Sequence, residues 1–446
     1  MRPESPRGPM GRRRPSRRAT ASLYSRPMAA LAAAAAVAVT AAGCGSGDDG
    51  DVELRFSWWG HDERHAVTQE VIDLFEEKNP GITVEGEPTD WDSYWDRLAT
   101  SSSAQDAPDI IQHDEQYLRD YAGREALLDL DEVSDQLDVS EVDELVVDTG
   151  ELEGGRYAVP TGVNAFVIVA DPQAFDEAGV EMPDDTTWTW DDYVDTAIEI
   201  SEESGGDIVG AQNNSFNTAG FEIFARQNGE SLYTEDGGLG FSAETMERWW
   251  EYTVQLQDGG GEPGPGDSIE RDADGPDRSV LATNDGAMAG FWTNQVGDLT
   301  AAADRELEIL RFPGETEFEQ AGTFYKPAMH WTVSADTEHP EEAAMFVDFL
   351  VNDTEAGELM QADRGLPANT TVREEISGDL PDADVKSAEF LADIEDDVRP
   401  SDPSPPQGAG EVVDIVKRIN EDILHGDTTP DDAASRFIEE SEAAIE

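Results

Sequence analysis

The chain has 446 residues, with 29 basic against 99 acidic side chains and a formal charge of −70 at neutral pH. Such a surface repels phosphate backbones and anionic headgroups, which excludes nucleic acid and acidic lipid as partners. Ten tryptophans and sixteen phenylalanines supply enough apolar area for packed cores, so the acidity is not that of a disordered chain.

The first segment is a leader. A basic stretch (Arg12, Arg13, Arg14, Arg17, Arg18, Arg26) precedes an Ala/Val-rich run over 28–40, too short to span a bilayer comfortably, and small residues follow where a peptidase would cut. Ala41-Ala42-Gly43-Cys44 resembles the lipobox of bacterial lipoproteins. That resemblance implies a signal peptide over 1–43, removal of which makes Cys44 the lipid-modified N-terminus on the outer face of the cell membrane. Residues 44–51, rich in Gly and Asp, read as a tether. Ser16-Arg17-Arg18 echoes a twin-arginine signal without the apolar residues that should follow it, so Sec and twin-arginine export both stay open.

Without the leader's eight arginines and Glu4, 21 basic residues remain against 98 acidic ones, and only four of the basic residues are lysines. Acid spread along the whole chain reads as halophilic adaptation: the self-repulsion is screened once molar salt shortens the Debye length to about 3 Å. The 395 residues from 52 to 446 are too many for one ordinary core and suit two lobes.

Alternation in Val52-Glu53-Leu54-Arg55-Phe56-Ser57-Trp58-Trp59 before Gly60 predicts a strand. The helical spacing of Val67, Val71, Leu74 and Phe75 predicts a helix stopped by Asn79-Pro80-Gly81. A strand at 82–84, a helix carrying Trp91, Tyr94, Trp95 and Leu98, and a third strand at 107–111 complete a β-α-β-α-β order, hence a parallel sheet covered by helices. Such sheets bind ligands beyond the carboxyl ends of their strands. Trp59, His61 and Asp62 after the first strand, and Gln112 and Asp114 after the third, occupy those ends.

Several pieces in order resemble one family. Phe75-Glu76-Glu77-Lys78-Asn79-Pro80-Gly81, Ala107-Pro108-Asp109-Ile110-Ile111, Tyr157-Ala158-Val159-Pro160, Asp285-Gly286-Ala287-Met288 leading to Trp292, His339-Pro340-Glu341-Glu342-Ala343-Ala344 and Arg364-Gly365-Leu366-Pro367 are similar to signatures of the family 1 extracellular solute-binding proteins. These are the maltose-binding-protein-like receptors of ABC sugar importers. The resemblance implies a type II periplasmic-binding-protein fold, two α/β lobes closing on a solute. Crossings are placed near 157–164, 330–336 and 373–380, giving one lobe of 52–160 plus 331–375 and another of 161–330 plus 376–446.

A sugar offers an apolar ring face and a rim of hydroxyls, so its site needs flat aromatics beside amide, carboxylate and guanidinium partners. Trp292, followed by Asn294, is the leading candidate because its segment matches the family pattern. Trp58 and Trp59 must point to opposite faces of their strand, and Trp59, nearer the strand end, is the one assigned to the cleft. Asn164 and Trp331 in the crossings, Asn217 in an amide-rich loop, and Arg364 complete the candidate set, whereas Trp249 and Trp250 read as helix core. No aromatic cluster is found at 405–408, where maltose-binding relatives often carry one.

Catalytic and metal-binding motifs are missing: there is no His-Glu-x-x-His, no Gly-x-Ser-x-Gly and no phosphate-binding glycine loop, and 270–275 only begins like a calcium loop. The expectation is therefore a monomeric, non-enzymatic receptor without cofactor or metal, partnered by a carbohydrate and by permease subunits. The same fold serving a glycerophosphodiester, polyamine or peptide is the alternative, followed by an anchored carbohydrate-active enzyme.

Overall fold

The structure is a computed structural model that describes residues 51–446 apart from Glu153, Glu235, Glu319, Pro400, Pro403 and Glu446. The leader, Cys44 and most of the tether lie outside the described residues.

Alternating β and α segments build the first lobe as expected: β1 (Val52–Trp59), α1 (Asp62–Lys78), β2 (Ile82–Thr89), α2 (Trp91–Ser103), β3 (Ile110–His113) and α3 (Glu115–Gly123). Side-chain caps start each helix, with His61 accepting from the Arg64 amide, Asp90 from Ser93 and Asp114 from Gln116. β1 runs parallel to β2 and β3. A small hairpin of β4 (Glu151–Leu152) and β5 (Gly155–Arg156) precedes β6 (Val159–Pro160), which closes the sheet edge.

After β6 the chain passes through β7 (Gly162–Asn164) into β8 (Phe166–Ala170), α4 (Pro172–Ala178), α5 (Trp190–Glu203), β9 (Val209–Ala211), α6 (Ala219–Gln227), α7 (Ala243–Gly259), α8 (Pro265–Asp274), β10 (Gly286–Trp292), α9 (Val296–Ala303) and β11 (Glu308–Leu310). The second sheet, ordered β11-β8-β10-β9, is mixed: β10 and β11 pair antiparallel with β8, and β9 runs parallel to β10. Trp249 and Trp250 are buried in this lobe's core.

β12 (Lys326–Pro327) leads back to β13 (His330–Val333), then α10 (Pro340–Asn352), α11 (Thr354–Met360), β14 (Leu366–Pro367), α12 (Thr370–Ile376), α13 (Asp382–Ile394), α14 (Ala409–Leu424) and α15 (Pro430–Ile445). β13 sits inside the first sheet, antiparallel to β3, with His330 opposite His113. The chain joins the first sheet at His330, and β12 just before it belongs to a separate small sheet. Among the described residues no helix is long and apolar enough to cross a membrane.

Between the two sheets lies a third, of order β12-β7-β14, in which Lys326 pairs with Asn164 and Leu366 with Val163. Its centre demands glycine: a Cβ on Gly162 would stand 2.4 Å from the Arg364 carbonyl oxygen and 2.7 Å from that of Leu366. Three strands from distant parts of the chain are thereby held within backbone reach, and this small sheet positions the groups of both lobes that face one another.

Candidate functional site

The loops at the carboxyl ends of the first lobe's strands face the second lobe across a cleft. At one end of it is a cavity of about 270 Å³. The first lobe contributes Trp91, Asp114 and Glu115, the second Glu222, Tyr233 and Asp402, and Phe324 and Lys326 come from the chain between the lobes. The Pro-rich segment after Arg399 also touches the first lobe. The Arg119 guanidinium donates to the carbonyls of Pro405 (3.1 Å) and Ser404 (3.2 Å), and the Ser404 hydroxyl donates to the Thr149 carbonyl (3.0 Å).

Lys326 is the electrostatic centre of the cavity. Its ammonium lies 3.1 Å from the Glu115 carboxylate and 5.7 Å from the centroid of the Trp292 ring. Burial works against that charge, but Glu115, Asp114 and Glu222 together outweigh it and raise the lysine pKa. Burial raises the Asp114 pKa, with Lys326 opposing. Glu222 is pushed up to about 8, first by burial and then by Asp402, against the pull of Lys326 and Arg226. Asp402 forms an ion pair with Arg226 through Oδ1, while its buried Oδ2 has no hydrogen-bond partner among the described residues.

Trp292, whose ring lies near Lys326, lines a second cavity of about 220 Å³ with Phe166, Asn214 and Asn217. Its ring packs on Phe166 (5.0 Å between centroids), and its backbone amide donates to Gln295 Oε1 (3.1 Å). Asn217 lines the same space while its Oδ1 accepts from the Ala219 amide at the start of α6. A third cavity, about 550 Å³, holds His61, Arg64 and Asp363 of the first lobe opposite Asn294, Asp298 and Asp384 of the second. Burial raises the pKa of Asp298, as do Glu63 and Asp363, and that of Asp384, as does Asp298.

The candidates thus divide. His61, Asp114, Asn217, Trp292 and Asn294 line cavities in the cleft. Asp62 is an exposed residue in the first turn of α1 and lines none of these three. Asn164 is buried in the small central sheet and accepts from the Thr293 hydroxyl (3.3 Å). Gln112, Trp331 and Arg364 lie beneath the first lobe's wall. Trp331 is 1% exposed, with the Arg364 guanidinium 5.3 Å from its ring centroid; Arg364 in turn donates to Gln112 Oε1 (2.9 Å), Thr68 Oγ1 (2.7 Å) and Asp363 Oδ2 (3.0 Å). In this conformation these three pack on one another and on their neighbours, Trp331 against Phe56 (5.5 Å between centroids) and Arg364 against Thr68 of α1, and do not line the three cavities.

Trp59 is likewise buried in this conformation. Trp58 and Trp59 do point to opposite faces, but the Trp59 ring is buried among Trp91, Tyr94 and Trp95, 5.0 Å from Trp91 edge to face. Trp91, 38% exposed, is the large apolar side chain left at the cavity rim. It was grouped with its helix neighbours, although its place at the first helical turn frees it from the buried stripe. Lys326 and Glu222 were also missed. Their available signals were rarity, Lys326 being one of four lysines, and a lone acid in the apolar run Phe221-Glu222-Ile223-Phe224.

The sequence pattern of the bacterial extracellular solute-binding proteins matches residues 70–392. A family 1 extracellular solute-binding protein from Alicyclobacillus acidocaldarius superposes with a TM-score of 0.69 at 26% identity, covering 89% of this chain and 99% of that one. An oligogalacturonide-binding protein from Yersinia enterocolitica, solved with digalacturonic acid, gives 0.76 at 23% identity, covering 88% and 98%. An uncharacterised lipoprotein from Streptomyces antibioticus is 27% identical over 339 residues, 72% of each chain. With the two-lobe fold and the cleft between the lobes, these findings place the chain in the family of bacterial extracellular solute-binding proteins.

Proposed function

We propose that this protein is the receptor of an ABC importer, that it captures a sugar or oligosaccharide between its lobes, and that lipid on Cys44 holds it at the outer face of the membrane. The observation that carries the sugar reading is the joint made by Trp292 and Lys326. A half-buried ring and a fixed ammonium border two adjoining cavities, with carboxyls and amides of both lobes around them. An apolar platform ringed by hydrogen-bonding groups suits a pyranose, each of whose hydroxyls must regain a partner or cost about 1–3 kcal/mol on leaving water. The likeness to a sugar-binding structure supports the same reading, and the lipobox together with a lipoprotein relative supports the anchor.

Binding proceeds by population shift. A ligand that touches Asp114 or Trp91 on one side and Trp292 or Tyr233 on the other gains all of those contacts only when the lobes are closed, so it favours closure by its differential affinity. Micromolar affinity corresponds to about −8 kcal/mol and suffices for capture.

The test is tryptophan fluorescence of residues 45–446 in molar salt, titrated with mono- and oligosaccharides and followed by chromatography of the recovered ligand. A saturable shift with ligand recovered intact is expected. A sugar returned hydrolysed would establish the enzyme alternative, and a folded protein that answers no sugar would overturn the carbohydrate reading.

A further inference from the structure

The charges around the hinge-side cavity do not balance, and this bears on which sugar it takes. Four carboxyls border it, those of Asp114, Glu115, Glu222 and Asp402. Two cations answer them, and both are engaged: Lys326 with Glu115, and Arg226 with Asp402. Asp114 and Glu222 are left over. Asp114 caps α3, accepting from the Gln116 amide (3.1 Å), whereas Glu222, in the first half of α6, forms no side-chain hydrogen bond or ion pair among the described residues. Tyr233, beside it, brings no positive charge.

Resting on the receptor reading of this same cleft, we propose that the cavity recognises a primary ammonium group carried by its ligand, an amino sugar rather than a neutral or acidic one, and that Glu222 is the residue that pairs with it. An ammonium supplies three N–H donors and one positive charge. The vacant acceptors are the two oxygens of Glu222 and the unpartnered Oδ2 of Asp402. A uronate would instead place a fifth carboxylate among four, with Lys326 and Arg226 already paired. The aromatic rim agrees with this choice, since Trp91 offers a face to a sugar ring and, like any aromatic face, attracts a cation.

In the empty receptor burial keeps a proton on Glu222. A ligand arriving as an ammonium displaces that proton to solvent, whereas one arriving as a free amine takes it directly from the carboxyl. Either route ends in the same carboxylate–ammonium pair, with one proton between the two groups.

The experiment is isothermal titration of residues 45–446 with four probes: glucosamine and galactosamine oligomers, their N-acetylated forms, digalacturonic acid and spermidine. Molar salt screens the protein's overall negative charge over about 3 Å, so that only direct pairing discriminates among them. The expected result is that one free-amine series binds at least tenfold tighter than its N-acetylated form, that the acid does not bind, and that Glu222→Gln brings the tenfold ratio close to one while circular dichroism shows an intact fold. Equal binding of the free and N-acetylated sugars would overturn the amine inference and leave the sugar reading standing. Tight spermidine binding with no sugar bound would retain ammonium recognition and overturn the sugar reading. Binding of digalacturonic acid in preference to either amine series, or no binding of any amine, would overturn the inference.

Discussion

The two walls of the cleft use similar residues for different ends. On the first lobe's wall, Trp59, Gln112, Trp331 and Arg364 sit below the surface and satisfy one another, leaving Trp91 and the Asp114–Glu115 turn to meet a ligand. On the second, Trp292, Asn217, Glu222 and Tyr233 all border open cavities. The cause is what packs on each sheet. In the first lobe Arg364 reaches Thr68 of α1 (2.7 Å) and Trp331 packs on Phe56 (5.5 Å between centroids), whereas in the second β10 runs out to its last residue, Trp292, which lines a cavity. A tryptophan near a strand end is therefore no evidence of a ligand contact until what packs on its sheet is known.

The sharpest test of that contrast is Trp331→Ala. Emptying a site that is 1% exposed leaves a cavity in the first lobe's core, and stability should fall by about 3–5 kcal/mol in a denaturant titration. A variant that unfolded like the parent but lost ligand would return Trp331 to the binding wall.

Beneath the second wall lies Glu262, 6% exposed, which accepts a hydrogen bond from Asn213 (2.9 Å). Burial pushes its pKa up to about 8 from an ordinary 4.5. Folding thus favours the protonated form, and the stability this contributes is complete below the ordinary value and lost as pH rises through about 8. One proton corresponds to at most about 1.4 kcal/mol per pH unit. Melting temperature should drop between pH 6 and pH 9, and Glu262→Gln should flatten the drop; an unchanged profile would show that the carboxyl is ionised in place.

Trp292→Ala carries the opposite expectation to Trp331→Ala. Ligand affinity should weaken by about 1–3 kcal/mol, roughly 5- to 150-fold, with little change in melting temperature because the ring is only half buried.

The smallest effect concerns the third cavity, where Asp298 and Asp384 face Asp363 and Glu63 across the cleft and have no ion pair among the described residues. Closure brings like charges together, so salt should tighten ligand binding there. Asp298→Asn should reduce that salt dependence by a few tenths of a kcal/mol, measured as the slope of affinity against ionic strength.

Much of this molecule is legible before any coordinates. Local pattern determined the first five elements, the opposed faces of Trp58 and Trp59 and the core role of Trp249 and Trp250, because alternation and helical spacing act over a few neighbours; chain length and the family resemblance, not local pattern, pointed to two lobes. Family-like segments in order pointed to Trp292. What the tertiary structure alone decided was which polar groups meet. Lys326 and Glu115 are 211 positions apart, Arg364 and Gln112 are 252 apart, and Arg226 and Asp402 are 176 apart. In a chain with about a hundred carboxyls, an apolar run around a lone acid, as at Glu222, hints at burial, but nothing local marks which of them meets a cation. That selection follows from strand order and from the close approach of three backbones at Gly162, both set by long-range packing.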